Sequence, residues 1–169
     1  EVGEYYDVIK MSLQFGQLGC KNWQTVVVPP DSDMWRYPES VQEHLTTGNE
    51  YGYHCLLERY HGCRTAADIK TGPYAGTKTG GEFCFAPSWG TQAQIKNYPA
   101  MWKCQELCQR YGMDEAGIPI PFGLELYERG ILTKDDCDGL ELNWGDEKVI
   151  LELIRKTAYR EGVGNLLAE

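Results

Sequence analysis

The chain has 169 residues, a formal net charge of −9 and an aromatic content of 12%. That is enough length for one domain with a hydrophobic core. The acidity argues against a nucleic-acid partner, which needs clustered Lys and Arg, and no apolar run approaches the roughly 20 residues that span a bilayer. Seven cysteines, an odd number without a secretion signal, argue against a disulfide scaffold and for a reducing, cytoplasmic setting.

The chain starts at Glu1 without Met and stops at NLLAE directly after a helical pattern. The expectation is a single helical domain, 1–169, excised from a longer polypeptide. Residues 4–15 put Tyr5, Ile9 and Leu13 on one helix face, with Gly16 and Gly19 ending that helix. Val26–Val28 reads as a short strand stopped by Pro29 and Pro30. PESVQEHLTTG, from Pro38 to Gly48, reads as a short helix with Pro at its first position and Gly at its close. From Gly48 to about Gly90 helical periodicity is absent. Thr65–Lys70 reads as extended, and GPYAGTKTGG as turn or loop. A long glycine-rich loop inside a domain is uncommon unless it binds something.

Helices dominate the rest. Asn97–Pro99 is a start signal for a helix carrying Met101, Cys104, Cys108 and Tyr111 at spacings of three and four, closed by Gly112. FGLELYERG reads as a helix with Phe122 and Leu126 on one face and Gly130 as cap. Thr133 and Asp136 resemble a capping box. Asp146 caps a last long helix whose buried stripe is Ile150, Leu153, Ile154, Thr157 and Ala158, ended by Gly162. The fold class is mainly α, an irregular helical domain with one long Gly-rich cofactor-facing loop and little strand.

The thiols in the irregular stretch carry the chemistry. Cys55 and Cys63, with seven residues between them, suit soft-metal sites: an iron–sulfur cluster, zinc or copper(I). Zinc is disfavoured because no CxxC or HxxxH partner accompanies them, and a pair of packed loop thiols is the plain alternative. Cys84 in GGEFCFAPSWG lies between glycines and Pro87, on backbone that allows close approach of a ligand. Glu82 is either a proton relay raised by burial or a carboxylate at a helix start. His61 sits between the loop cysteines, placed to donate a proton or to hydrogen-bond a cluster sulfur. His44 reads as an ordinary surface or core histidine, and His54 is left open. Asp114 and Gly117 form a DxxG pattern: an Asp accepts ring N–H groups and a Gly permits flat approach of a heterocycle. Asp136–Gly139 repeats the pattern and reads as a helix junction. Cys104 and Cys108 read as a core stripe.

In order along the chain, FGQLGCKNWQ, GCRTAADIKTGPYAGTKTGGEF, ELCQRYGMDEAG, LELYERGIL, GLELNWGD and YREGVGNLLAE resemble the tungsten-dependent aldehyde:ferredoxin oxidoreductase family. The resemblance implies tungsten, or molybdenum, held between paired pterin dithiolenes with a [4Fe–4S] cluster nearby, this chain being the helical middle region. Cys63 matches the last cysteine of the family's CxxCxxxC pattern. Leu56 and Arg59 stand where the other two belong, with Cys55 displaced by one. Asp114 and Gly117 match the first DxxG pterin contact. Glu82 matches the first Glu of a PEYE segment, and Cys84 replaces the second. A cysteine there is similar to the active-site subunit of class II benzoyl-CoA reductase, in which a cysteine ligates tungsten.

The resemblance thus implies Cys84 as tungsten ligand, Cys55 and Cys63 on the cluster, and Glu82 or His61 in proton delivery. The implied reaction is reduction of the aromatic ring of benzoyl-CoA in anaerobic aromatic degradation. The alternatives are oxidation of aldehydes to carboxylic acids with ferredoxin, and a helical interaction module that has lost its cofactor. Implied partners are the remaining domains of the polypeptide, an iron–sulfur electron-transfer subunit or ferredoxin, and an acyl-CoA or aldehyde substrate.

Overall fold

A computed structural model describes residues 11–36, 45–50, 64–82, 85–114 and 117–169. Residues 11–14 are helical, and the Phe15 N–H closes the turn on the Met11 carbonyl at 2.9 Å. Gly16 follows at φ +61, the left-handed conformation that its lack of a side chain permits. A 3-10 turn spans Asp33–Arg36. Three strands follow, β1 (Leu45–Glu50), β2 (Arg64–Asp68) and β3 (Lys78–Glu82), then five helices: α1 (Phe85–Gln92), α2 (Tyr98–Tyr111), α3 (Pro119–Glu128), α4 (Glu147–Tyr159) and α5 (Val163–Leu167). The described residues are mainly helical, as the periodicity predicts.

α2 is the central element and packs against α1, α4 and β3. Its start is set by Asn97, whose Oδ1 accepts the Ala100 N–H at 2.9 Å, and its end by Gly112 at φ +68. Met101, Cys104 and Cys108 are fully buried with Trp102, Tyr98 and Trp89, and α3 and α4 add Ile120, Leu124, Ile150, Leu153 and Ile154 to the same core. Asp146 caps α4 by accepting the Lys148 and Val149 N–H groups at 3.1 and 3.2 Å. Glu147 then ties three pieces together: it accepts from the Tyr74 hydroxyl in the β2–β3 connection and from the Asn97 side-chain amide at the start of α2.

The sheet has the order β1-β2-β3, all antiparallel. Polar groups join it to α2. Glu106 Oε1 accepts the Lys78 N–H at 3.3 Å, and Thr79 Oγ1 donates to Gln109 Oε1 at 2.6 Å.

Several expectations are corrected here. Leu45–Gly48 belongs to β1 and not to a helix; Thr46 and Thr47 are β-branched, and pairing with β2 decides the conformation. Residues 38–44 lie outside the described set. Val26–Val28 forms no ladder: the only pairing there is the isolated bridge Cys20–Thr25. GPYAGTKTGG is turn only in its first half; its second half is β3, paired with β2 through every residue from Asp68↔Lys78 to Arg64↔Glu82. α1 was hidden by Pro87 and Gly90. Pro87 falls in the first turn, where no intrahelical donor is needed. Gly90 is packed so closely that an added methyl would come within 2.6 Å of Met101 Cε and 2.7 Å of Met34 Sδ. In α3 the inward residues are Ile120, Pro121, Gly123 and Leu124, while Phe122 is half exposed, so the expected Phe122–Leu126 face is rotated outward. α4 ends at Arg160, left-handed at φ +55, and Gly162 instead precedes α5. Ala158 is only half buried.

Candidate functional site

The register of the sheet organises the site. Glu50 pairs with Arg64, and Arg64 pairs with Glu82. The end of β1, the start of β2 and the end of β3 are therefore one edge of the sheet, at one end. In sequence Cys63 adjoins Arg64, and Cys84 follows Glu82 by two residues. Cys55, His61, Cys63 and Cys84 themselves lie outside the described residues, and Glu82 is described as the last backbone position of β3.

The second part of the site is the turn 114–117. The Gly117 N–H donates to the Asp114 carbonyl at 3.1 Å, and the Gly117 carbonyl accepts the Ile120 N–H at 2.9 Å, so the turn leads straight into α3. Asp114 is exposed and Gly117 is buried. Gly117 has φ +58, and a Cβ there would stand 2.1 Å from Trp89 Cη2 and 2.3 Å from Trp89 Cζ2. The side of Gly117 on which a side chain would stand is thus filled by the protein's own Trp89, fully buried on α1. Trp89 carries no signature in sequence: it is one aromatic in a helix hidden by Pro87 and Gly90, and only the packing reveals its place. The chemistry of the turn fits a heterocycle rich in N–H donors, with the Asp114 carboxylate as surface acceptor and the Gly117 backbone fixing it.

Four further cysteines lie within the described residues. Cys20, Cys104, Cys108 and Cys137 are buried and in no disulfide. Burial, then the nearby Cys108 and Glu147, pushes the Cys104 thiol well above its ordinary range. Burial also raises Cys20, against a hydrogen bond with Gln94, and raises Cys137, helped by Asp136 and Asp138. Thiols held protonated are poor metal ligands and poor nucleophiles. Among the described residues no group of three or more His, Cys, Asp or Glu side chains could hold a metal ion. Iodoacetamide applied to the folded protein is expected to leave these four cysteines unmodified by peptide mass spectrometry; alkylation at Cys104 or Cys108 faster than global unfolding would contradict their placement.

A third structure joins the ends of α1 and α3. The hairpin Gly19–Thr25 is closed by hydrogen bonds between Cys20 and Thr25 at 2.7 and 3.2 Å. Lys21, Asn22 and Trp23 are all left-handed, at φ +50, +51 and +67. Such a run costs about 1–2 kcal/mol per residue and persists only because its surroundings hold it. The Lys21 N–H donates to the Thr91 carbonyl at 3.0 Å and Gln92 Nε2 to the Gly19 carbonyl at 2.5 Å, both on α1. Asn22 Nδ2 donates to Glu125 Oε2 at 2.5 Å and Lys21 Nζ pairs with Glu128 at 3.1 Å, both on α3. Lys21 Nζ also lies 5.4 Å from the centroid of the Trp144 ring.

Among the described residues no helix is long and apolar enough to cross a membrane. Residues 6–169 match the family model described as aldehyde ferredoxin oxidoreductase, domains 2 and 3. The chain is 35% identical over 115 residues to an aliphatic sulfonate oxidoreductase, WOR-like subunit, of Pyrococcus furiosus, covering 63% of this chain and 18% of that one. It is 27% identical over 157 residues to a tungsten-containing aldehyde ferredoxin oxidoreductase of the same organism, covering 91% and 24%. A tungsten-containing aldehyde ferredoxin oxidoreductase of Thermococcus kodakarensis is 31% identical over 100 residues, covering 57% and 16%. The chain spans less than a quarter of the length of these relatives.

Proposed function

The chain belongs to the aldehyde ferredoxin oxidoreductase family, and from that premise we propose that it is the helical part of a tungsten-pterin oxidoreductase. The observation that carries the reading is the sheet register. It brings the backbone neighbours of Cys63 and Cys84, and Glu82 itself, to one end of one sheet, with α1 running from there to the Asp114–Gly117 turn. When bound, the tungsten-pterin group supplies the electron-transfer chemistry, as cofactors of this kind do. Asp114 would accept pterin N–H groups. Gly117 would hold that carboxylate by fixing the turn. Cys63 and Cys55 would hold an iron–sulfur cluster, and Cys84 would ligate the metal. Glu82 or His61 would hold and move a proton beside it.

For the substrate, the two relatives that are tungsten-containing aldehyde ferredoxin oxidoreductases favour an aldehyde oxidised to its carboxylic acid with ferredoxin as acceptor. Cys84, standing where the family pattern has its second Glu, favours the second reading, ring reduction of benzoyl-CoA, because a cysteine there resembles the branch in which a cysteine ligates tungsten. Assays of the full-length protein with simple aldehydes and with benzoyl-CoA separate the two. X-ray absorption of a Cys84→Ala variant tests the ligand directly. Loss of one sulfur scatterer from the tungsten shell is expected, and an unchanged shell would remove Cys84 from the metal and leave aldehyde oxidation as the reading.

A further inference from the structure

The Trp89 ring stands against the Cβ position of Gly117: Cη2, Cζ2 and Cζ3 would lie 2.1, 2.3 and 3.0 Å from an added methyl. These atoms are the outer edge of the six-membered ring. The indole therefore reaches the turn end-on, and its length sets how near α1 and the turn can come. The ring is fully buried. Its own backbone is fixed as well, because the Trp89 carbonyl accepts both the Ala93 and Ile95 N–H groups at 3.3 and 3.2 Å. The left-handed hairpin ties Thr91 and Gln92 at the end of α1 to Glu125 and Glu128 near the end of α3 through Lys21 and Asn22. The Trp89 contact lies at the turn that carries Asp114.

We propose that Trp89 is a positioning residue for the cofactor: its indole acts as a fixed stop that sets where the Asp114 carboxylate meets the pterin. The inference rests on the assignment of Asp114 to the pterin. Shortening the stop lets the turn settle toward α1 and draws the carboxylate away from the ring it grips. Residues that orient a ligand from behind typically change affinity or activity by about 10–100-fold when altered.

The test uses the full-length protein purified without oxygen. Trp89→Phe, Trp89→Leu, Asp114→Ala, Gly117→Ala and the double variant Gly117→Ala/Trp89→Leu are compared. The measurements are pterin and tungsten per polypeptide, the tungsten midpoint potential by redox titration, and thermal melting. Trp89→Phe is expected to keep a cooperative melt while losing pterin occupancy on dilution about ten-fold more readily than wild type, with a shifted midpoint potential. The double variant is expected to recover part of the pterin that Gly117→Ala loses, because trimming the indole makes room for the added methyl. If Asp114→Ala loses pterin while both Trp89 variants keep wild-type occupancy and potential, the positioning role is overturned and the site assignment stands. If Asp114→Ala keeps its pterin, the assignment itself fails and the inference falls with it. Should Trp89→Leu not accumulate, Trp89→Phe carries the same decision.

Discussion

Gly117→Ala is expected to destabilise the domain by about 2–5 kcal/mol, the sum of a left-handed backbone penalty of about 1–2 kcal/mol and an overpacking penalty of about 1–3 kcal/mol. Two independent features demand glycine here. The backbone stands at φ +58, and the space for a methyl is taken by the buried Trp89 ring. The ring has no room to swing away, because Trp89 is fully buried in a close-packed core. Denaturant unfolding followed by circular dichroism checks the value, with or without bound cofactor. A variant as stable as wild type would mean that the turn and α1 do not meet as described.

Glu106→Gln is expected to cost about 1.5–3 kcal/mol, the range for hydrogen bonds to a charged group. Glu106 is 3% exposed. Its carboxylate accepts Lys103 Nζ at 2.6 Å, Arg110 Nη2 at 2.9 Å and the Lys78 N–H at 3.3 Å, joining two helical turns of α2 to the first residue of β3. Burial by itself raises this carboxyl, but the hydrogen bonds from Lys103, Arg110 and Lys78 together outweigh it and hold the group below its ordinary value of 4.5. A carboxyl lowered on folding contributes stability above its unfolded value, and that contribution is lost as pH falls through the folded value. The difference between wild type and Glu106→Gln is therefore full at neutral pH and shrinks as pH drops below about 4.5. Melts from pH 3 to pH 8 check both size and sign; a gap that widened in acid would contradict the assignment of the charge.

What could be read in advance follows from which force decided each element. α2 and α4 carry their own signals, Asn97 and Asp146 at their starts and an apolar face long enough to fix their rotation, and both start where expected. The sheet was mostly hidden because its strands are written in Thr, Ala and Gly, residues whose conformation is settled by pairing between distant segments and not by local preference. α1 was hidden for the opposite reason, since Pro87 and Gly90 read locally as breakers while the first is harmless in an opening turn and the second is required by Met34 and Met101. At the site, Asp114 and Gly117 were legible as a pattern. What stands against Gly117 was not, because a side chain reaching across from another helix leaves no spacing in the sequence. The run of left-handed residues Lys21–Trp23 is likewise invisible, being held by partners on α1 and α3.

The description of the chain as the pterin-gripping part of a tungsten enzyme meets its most direct test in metal and pterin analysis of the full-length protein, purified without oxygen, beside its Asp114→Ala variant. The account predicts tungsten or molybdenum with bound pterin in the wild type and a marked loss of pterin in the variant. A wild-type protein carrying neither the metal nor pterin, or a variant that retains its pterin in full, would contradict it.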